Sequence, residues 1–108
     1  NEKKKLLKLA IDVEKAGASL LVLECVTAQL SEEITNTINI PTIGIGSSNK
    51  CDGQVLVIND LLGINKSNKK IKFVKNYANL YKNISNAVKS YKIEVRSKKF
   101  PNKKYQYE

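Results

Sequence analysis

One stretch limits what this chain can become: Leu20 to Val26, LLVLECV, an apolar run broken by a single carboxylate, Glu24. A run this short and this rich in Leu and Val predicts a strand buried on both faces, as in a parallel sheet covered by helices. An ionised carboxylate without a partner is costly in such surroundings. Glu24 therefore belongs at the end of the strand and not in its middle. In parallel α/β architectures the C-terminal strand ends are where chemistry collects. Glu24 is thereby a candidate catalytic carboxylate, the alternative being a structural acid satisfied by an Arg or a backbone N–H.

Helical patterns flank this strand. Residues 2–16 put Leu6, Leu9, Ala10, Val13 and Ala16 on one face, with Lys and Glu opposite, and Gly17 supplies a left-handed C-terminal cap. After the strand, Thr27 is a helix N-cap, with Glu32 and Glu33 early enough to favour the helix dipole. Leu30, Ile34 and Ile38 recur at four-residue spacing and predict a helix to about Ile38, ended by Asn39-Ile40-Pro41. Thr42 to Ile45 is a second short strand, so strand, helix and strand form a right-handed βαβ unit. Gly46-Ser47-Ser48-Asn49 then lies at the same sheet edge as Glu24, either as a loop that lets backbone N–H groups approach an anion or as a plain turn.

Gln54 to Ile58, QVLVI, reads as a third strand or as a buried helical turn, with Asp52-Gly53 making a tight turn before it. Asp60 either lines a pocket rim or caps the next turn. Gly63 to Lys70 is polar and lysine-rich, an exposed loop. A further helix is expected to start with Phe73, Val74, Tyr77 and Ala78 and to run through Ile84, Ala87, Val88, Tyr91 and Val95 to about Lys98. Phe100-Pro101 stops it. The tyrosines at 77, 81 and 91 fall at helical spacing and are expected to pack.

Composition excludes several classes of function. The chain has 108 residues, no His and two cysteines, Cys25 and Cys51, which argues against a zinc site, a disulfide framework and His-dependent nucleophilic catalysis. Both cysteines read as thiols of a reducing compartment, the cytoplasm. No stretch has the ~20 apolar residues of a membrane span. The net charge of +9 raises nucleic acid as a partner, but residues 1–60 hold six lysines against eight carboxylates, so the excess lies wholly in residues 61–108. There Lys and Asn alternate along a helical pattern, and a solvated face is the simpler reading. A small basic nucleic-acid-binding protein is the alternative.

Several strings, in this order, resemble the C-terminal portion of the ketopantoate hydroxymethyltransferases: LLVLECV at 20–26, IPTIGIG at 40–46, CDGQVLV at 51–57, and Asp60 followed by LLG to 63. KFVKNYANL at 72–80 and Phe100-Pro101 agree as well. The resemblance implies an α/β fold, the C-terminal part of a (β/α)8 TIM barrel. It implies hydroxymethyl transfer from 5,10-methylenetetrahydrofolate to 3-methyl-2-oxobutanoate, giving 2-dehydropantoate on the route to pantothenate and coenzyme A. It brings a Mg2+ ion that holds the keto acid, and a homo-oligomer, typically a decamer. It makes Glu24 the general base, while the magnesium ligands come from earlier strands, so these residues supply no metal ligand and no named substrate contact.

The chain departs from the family pattern in four places. Gly44-Ile45-Gly46-Ser47-Ser48 stands where GIGAG is usual, Asn59 where His is common, Thr27 at a usual proline position, and Lys104-Tyr105-Gln106 where a histidine is familiar. A whole barrel takes roughly 250 residues. Residues 1–108 are therefore expected to be one C-terminal fragment without an internal boundary, supplying about three of eight strands and inactive alone.

Overall fold

The computed structural model describes residues 1–66 and 70–107. It divides into two compact units, Asn1–Val57 with Lys70–Val74, and the remaining described residues.

The first unit holds helix α1 (Glu2–Lys15), strand β1 (Leu21–Glu24), helix α2 (Ala28–Thr37), strand β2 (Thr42–Ile45) and strand β3 (Gly53–Gln54). The sheet order is β1-β2-β3 and both pairings are parallel, so the α/β class with a three-stranded parallel sheet holds. Asn1 caps α1 by accepting the N–H of Lys3, and Gly17 ends it at φ +97°, the left-handed conformation the sequence required there. Glu14, near the end of α1, accepts the backbone N–H groups of Asn39 and Ile40 and so ties α1 to the approach to β2.

The core lies between the helices and one face of the sheet: Ala10, Leu23, Leu30, Ile34, Ile38 and Cys51, with Leu7, Ile11, Leu21, Val26 and Ile40 packed against it. The stripe Leu30-Ile34-Ile38 is buried as its spacing predicts, Ile34 being only 2% exposed. The face of α1 is a correction. Leu7, Ala10 and Ile11 turn inward, whereas Leu6, Leu9 and Ala16 are exposed. The helix carries apolar residues on two sides, and periodicity cannot say which side a neighbour covers. Glu32 and Glu33 also fall beyond the first turn of α2, and Glu33 instead pairs with Lys3 at 2.9 Å.

The strand readings need two corrections. β1 is covered on one face only: Leu23 is buried, but Val22 is 51% exposed and Leu20 and Glu24 are exposed too. Side chains alternate along a strand, and α1 and α2 cover only the face that carries Leu21 and Leu23. The third strand is shorter and earlier than QVLVI. β3 is Gly53-Gln54, opposite Ile43 and Gly44, and Val55 adds a last N–H to the Gly44 carbonyl at 3.0 Å. Pairing stops there because β2 ends at Ile45 and Gly46 turns away at φ +63°. Val55 and Val57 are left exposed, and Ile58 begins helix α3 (Ile58–Leu61), which buries none of its residues and so is not the buried turn that competed for this run.

The second unit contains α3, helix α4 (Leu80–Arg96) and a short 3-10 turn (Lys103–Tyr105). The predicted helical start at Phe73 does not occur. The backbone N–H groups of Tyr77, Leu80 and Tyr81 donate to the carbonyls of Leu61, Leu62 and Gly63 at 2.8, 3.0 and 2.9 Å, which holds the segment out of a helix until Leu80. Gly63 makes that approach feasible. A Cβ there would stand 2.5 Å from the Ala78 carbonyl oxygen. Along α4 the stripe Ile84, Val88, Tyr91 and Val95 has the expected spacing, yet none of it is buried, Val88 being 59% exposed. Tyr77 and Tyr81 are exposed as well, which corrects the expectation that they pack; Tyr77 lies under the Lys75 ammonium at 4.8 Å. Tyr91 meets Phe100 edge-on at 5.7 Å. α4 ends at Arg96, two residues before the predicted Lys98. Part of the loop expected at 63–70, residues 67–69, lies outside the described residues. Among the described residues no helix is long and apolar enough to cross a membrane.

Two apolar surfaces thus stand open, one on the sheet and one along α4. The 108-residue chain expressed alone is expected to keep helical circular dichroism but to melt without a cooperative transition and to bind a hydrophobic dye. A sharp two-state melt from a monomer would contradict this.

Candidate functional site

The C-terminal ends of β1 and β2 meet in register, Glu24 opposite Ile45. Leu23 points into the core, so alternation puts Glu24 on the other face with Val22. The carboxylate is exposed, and among the described residues it makes no hydrogen bond or ion pair. Among the described residues that face of the strand end is open to water.

The residue after Glu24 turns the chain sharply. Cys25 adopts φ +53°, the left-handed region that a non-glycine residue rarely occupies, and its N–H still donates to the Ile45 carbonyl at 2.9 Å. Such a conformation costs about 1–3 kcal/mol and persists only where surrounding contacts impose it. Ser47 is one of those contacts. Its Oγ donates to the Leu23 carbonyl at 2.7 Å and accepts the Val26 N–H at 3.2 Å, thus bracketing Glu24 and Cys25. The loop after β2 is accordingly more than a plain turn.

Behind this edge runs a chain of hydroxyls that sequence reasoning missed. Thr27 occupies the N-cap position of α2 as predicted, but its side chain makes no capping bond. Ser31, fully buried, donates instead to the Thr27 carbonyl at 3.0 Å. Thr35 shares a 2.8 Å bond with Thr42, and Asp52 accepts the N–H and hydroxyl of Thr42 at 2.8 and 3.2 Å. Asp52 thus secures the start of β2 beyond its role in the turn. The available signal was a Ser and a Thr set on the apolar side of α2, beside Leu30 and Ile34.

A cleft of about 760 Å³ opens beside this edge. Cys25–Ala28, Gly46–Asn49, Gln54, Lys72 and Phe73 line it, and Glu24 does not. Phe73 seats on Gly46, where a Cβ would lie 2.7 Å from the ring. Lys72 brings a cation to its lining. Asp60 lies in α3, where its backbone carbonyl accepts the Asn76 side-chain amide. Among the described residues no group of three or more Cys, Asp or Glu stands close enough to hold a metal ion.

Comparison with known proteins decides the family. A family model described as ketopantoate hydroxymethyltransferase matches residues 1–103. The chain belongs to this family. Among curated relatives, the 3-methyl-2-oxobutanoate hydroxymethyltransferase of Pelagibacter ubique is 49% identical over 106 residues, 98% of this chain and 40% of that protein. The enzyme of the same name from Thermosipho melanesiensis is 48% identical over 107 residues, 99% of this chain and 40% of its own length. That of Buchnera aphidicola is 45% identical over 107 residues, with the same two shares. The chain spans about 40% of the length of these curated relatives. Family membership bears out the resemblance seen in the sequence and lends no support to the nucleic-acid alternative.

The two thiols differ sharply in access, Cys25 being exposed and Cys51 buried against Gly44. Iodoacetamide is expected to alkylate Cys25 in the folded protein well before Cys51. Equal rates by peptide mass spectrometry would show that the core around Cys51 is not closed.

Proposed function

We propose that this chain is the C-terminal part of a (β/α)8-barrel enzyme that transfers a hydroxymethyl group from 5,10-methylenetetrahydrofolate to 3-methyl-2-oxobutanoate, giving 2-dehydropantoate, with Glu24 as general base. Family membership supports the reaction. One observation supports the base: Glu24 ends a parallel strand, on the sheet face turned away from the helices, with its carboxylate unengaged among the described residues. In a closed barrel that face lines the interior and its strand ends carry the catalytic groups.

The chemistry asked of Glu24 is a proton transfer. A carboxylate oxygen takes the proton from C3 of the keto acid, and the C–H electron pair passes into the enolate. The enolate carbon is then the nucleophile for the one-carbon unit. Such a base must be held beside the proton it removes. The β1–β2 pairing and the Cys25 turn hold the backbone on either side of Glu24. The described residues do not fit a magnesium site, so Mg2+ is assigned to residues outside this chain and no step is drawn through it. A cytoplasmic homo-oligomer, a decamer by family resemblance, completes the proposal.

Glu24→Gln keeps the shape and hydrogen bonding but cannot accept the proton. In the full-length enzyme it is expected to slow exchange of the C3 proton of 3-methyl-2-oxobutanoate with deuterated water by at least ~10²-fold, with binding of the keto acid largely kept. Measured without folate, this isolates proton abstraction from carbon–carbon bond formation. Exchange as fast as in the parent enzyme would make Glu24 a structural carboxylate.

A further inference from the structure

We infer that Lys72 binds the one-carbon donor: the cleft beside the β1–β2 edge takes the tail of the folate, and the Lys72 ammonium pairs with a carboxylate of its glutamyl group. This rests on the reading of the reaction as transfer from a folate. It adds the place and the charge that hold the molecule.

The cleft is set apart from Glu24 yet begins beside it. Cys25, the residue after the base, is part of its wall, and Glu24 is not. A keto acid held against Glu24 therefore leaves this space free. The volume of about 760 Å³ is also far more than a small keto acid fills. It lies within the roughly 300–1,000 Å³ of clefts that take larger ligands. The donor has to bring its reacting carbon to the same strand end, and the rest of it needs room close by.

The lining has two chemical halves. Val26 and the Phe73 ring give it an apolar wall. Phe73 can sit there because Gly46 has no side chain, a Cβ at that position lying 2.7 Å from the ring. Lys72, its neighbour in the chain, gives the second half together with the amides of Asn49 and Gln54. Among the described residues no carboxylate lines the cleft, and Lys72 makes no ion pair. Such a lining suits an aromatic ring followed by an anion. Tetrahydrofolate carries its groups in that order: the pterin that bears the one-carbon unit, an aminobenzoyl ring, then a glutamate with two carboxylates. With the pterin toward the strand end, the ring meets Val26 and Phe73 and the glutamate meets Lys72. Lys72 and Phe73 open the string 72–80 in which the chain keeps the family pattern, so this wall is not among its departures.

The test is binding to the full-length enzyme, compared between tetrahydrofolate and tetrahydropteroate, the same molecule without the glutamate. The parent is expected to bind tetrahydrofolate about fivefold more tightly, the worth of one exposed ion pair, and to lose that advantage as salt rises. Lys72→Gln is expected to weaken tetrahydrofolate by the same factor while the Kd values of tetrahydropteroate and of 3-methyl-2-oxobutanoate stay as they were. Lys72→Arg keeps the charge and is expected to keep the preference. A parent enzyme without the preference would overturn the pairing before any variant is made. So would a Lys72→Gln protein that retains it in full, that loses both pterins equally, or that loses the keto acid instead. A parent that binds neither pterin would overturn the reaction together with the cleft, whereas undiminished proton exchange in Glu24→Gln would overturn the base alone.

Discussion

Leu21 to Glu24 lies against Thr42 to Ile45 in parallel, residue for residue, and this pairing decides where everything else in the first unit can go. The side-chain period of a strand is two, so a slip of one residue would send Leu23 to water and turn Glu24 into the helix layer. The register is pinned at both ends. Leu21 N–H donates to the Pro41 carbonyl at 2.9 Å, and Cys25 N–H donates to the Ile45 carbonyl at the same distance. Between those pins one face packs on Leu30, Ile34 and Ile38 while the other keeps Glu24 open. Core and candidate site are two faces of one ladder.

Where the sequence marked both ends of an element, the element is there. β2 is bounded by Pro41 and Gly46, and α2 shows a single apolar stripe ended by Asn39-Ile40-Pro41; both were legible. α1 was legible as a helix but not as to its face, because Leu6 and Leu9 compete with Leu7 and Ile11 for the interior and only a neighbour decides. The same holds for the strand at Leu20, whose second apolar face, with Leu20 and Val22, stays about half exposed. Phe73 was misread because a helical spacing says nothing about a carbonyl at Leu61 waiting for the Tyr77 N–H.

The site was legible in one residue and hidden in the rest. Glu24 stood out as a lone carboxylate in an apolar run. Ser47, Ser31, Thr35 and Asp52 act through hydroxyl and carboxylate bonds, several of them to backbone distant in sequence, and such bonds leave no periodic trace. Ser47-Ser48 could be noted only as a departure from a family pattern. Its meaning needed the two distances from Ser47 Oγ.

The link between β2 and β3 has a consequence for the order in which the sheet comes together. Parallel neighbours are usually joined through a helix of a dozen residues or more, whereas here seven residues, 46–52, suffice. Ile43 and Gly53 meet across ten positions, while Leu21 and Thr42 must find one another across 21. Closing a ten-residue loop takes about 10–100 ns, and the entropy lost grows with loop length. The β2–β3 corner is therefore the quick contact, made early and often. With only two paired positions it is also quickly lost, until β1 arrives with α1 and α2 on its inner face and gives the corner something to rest against.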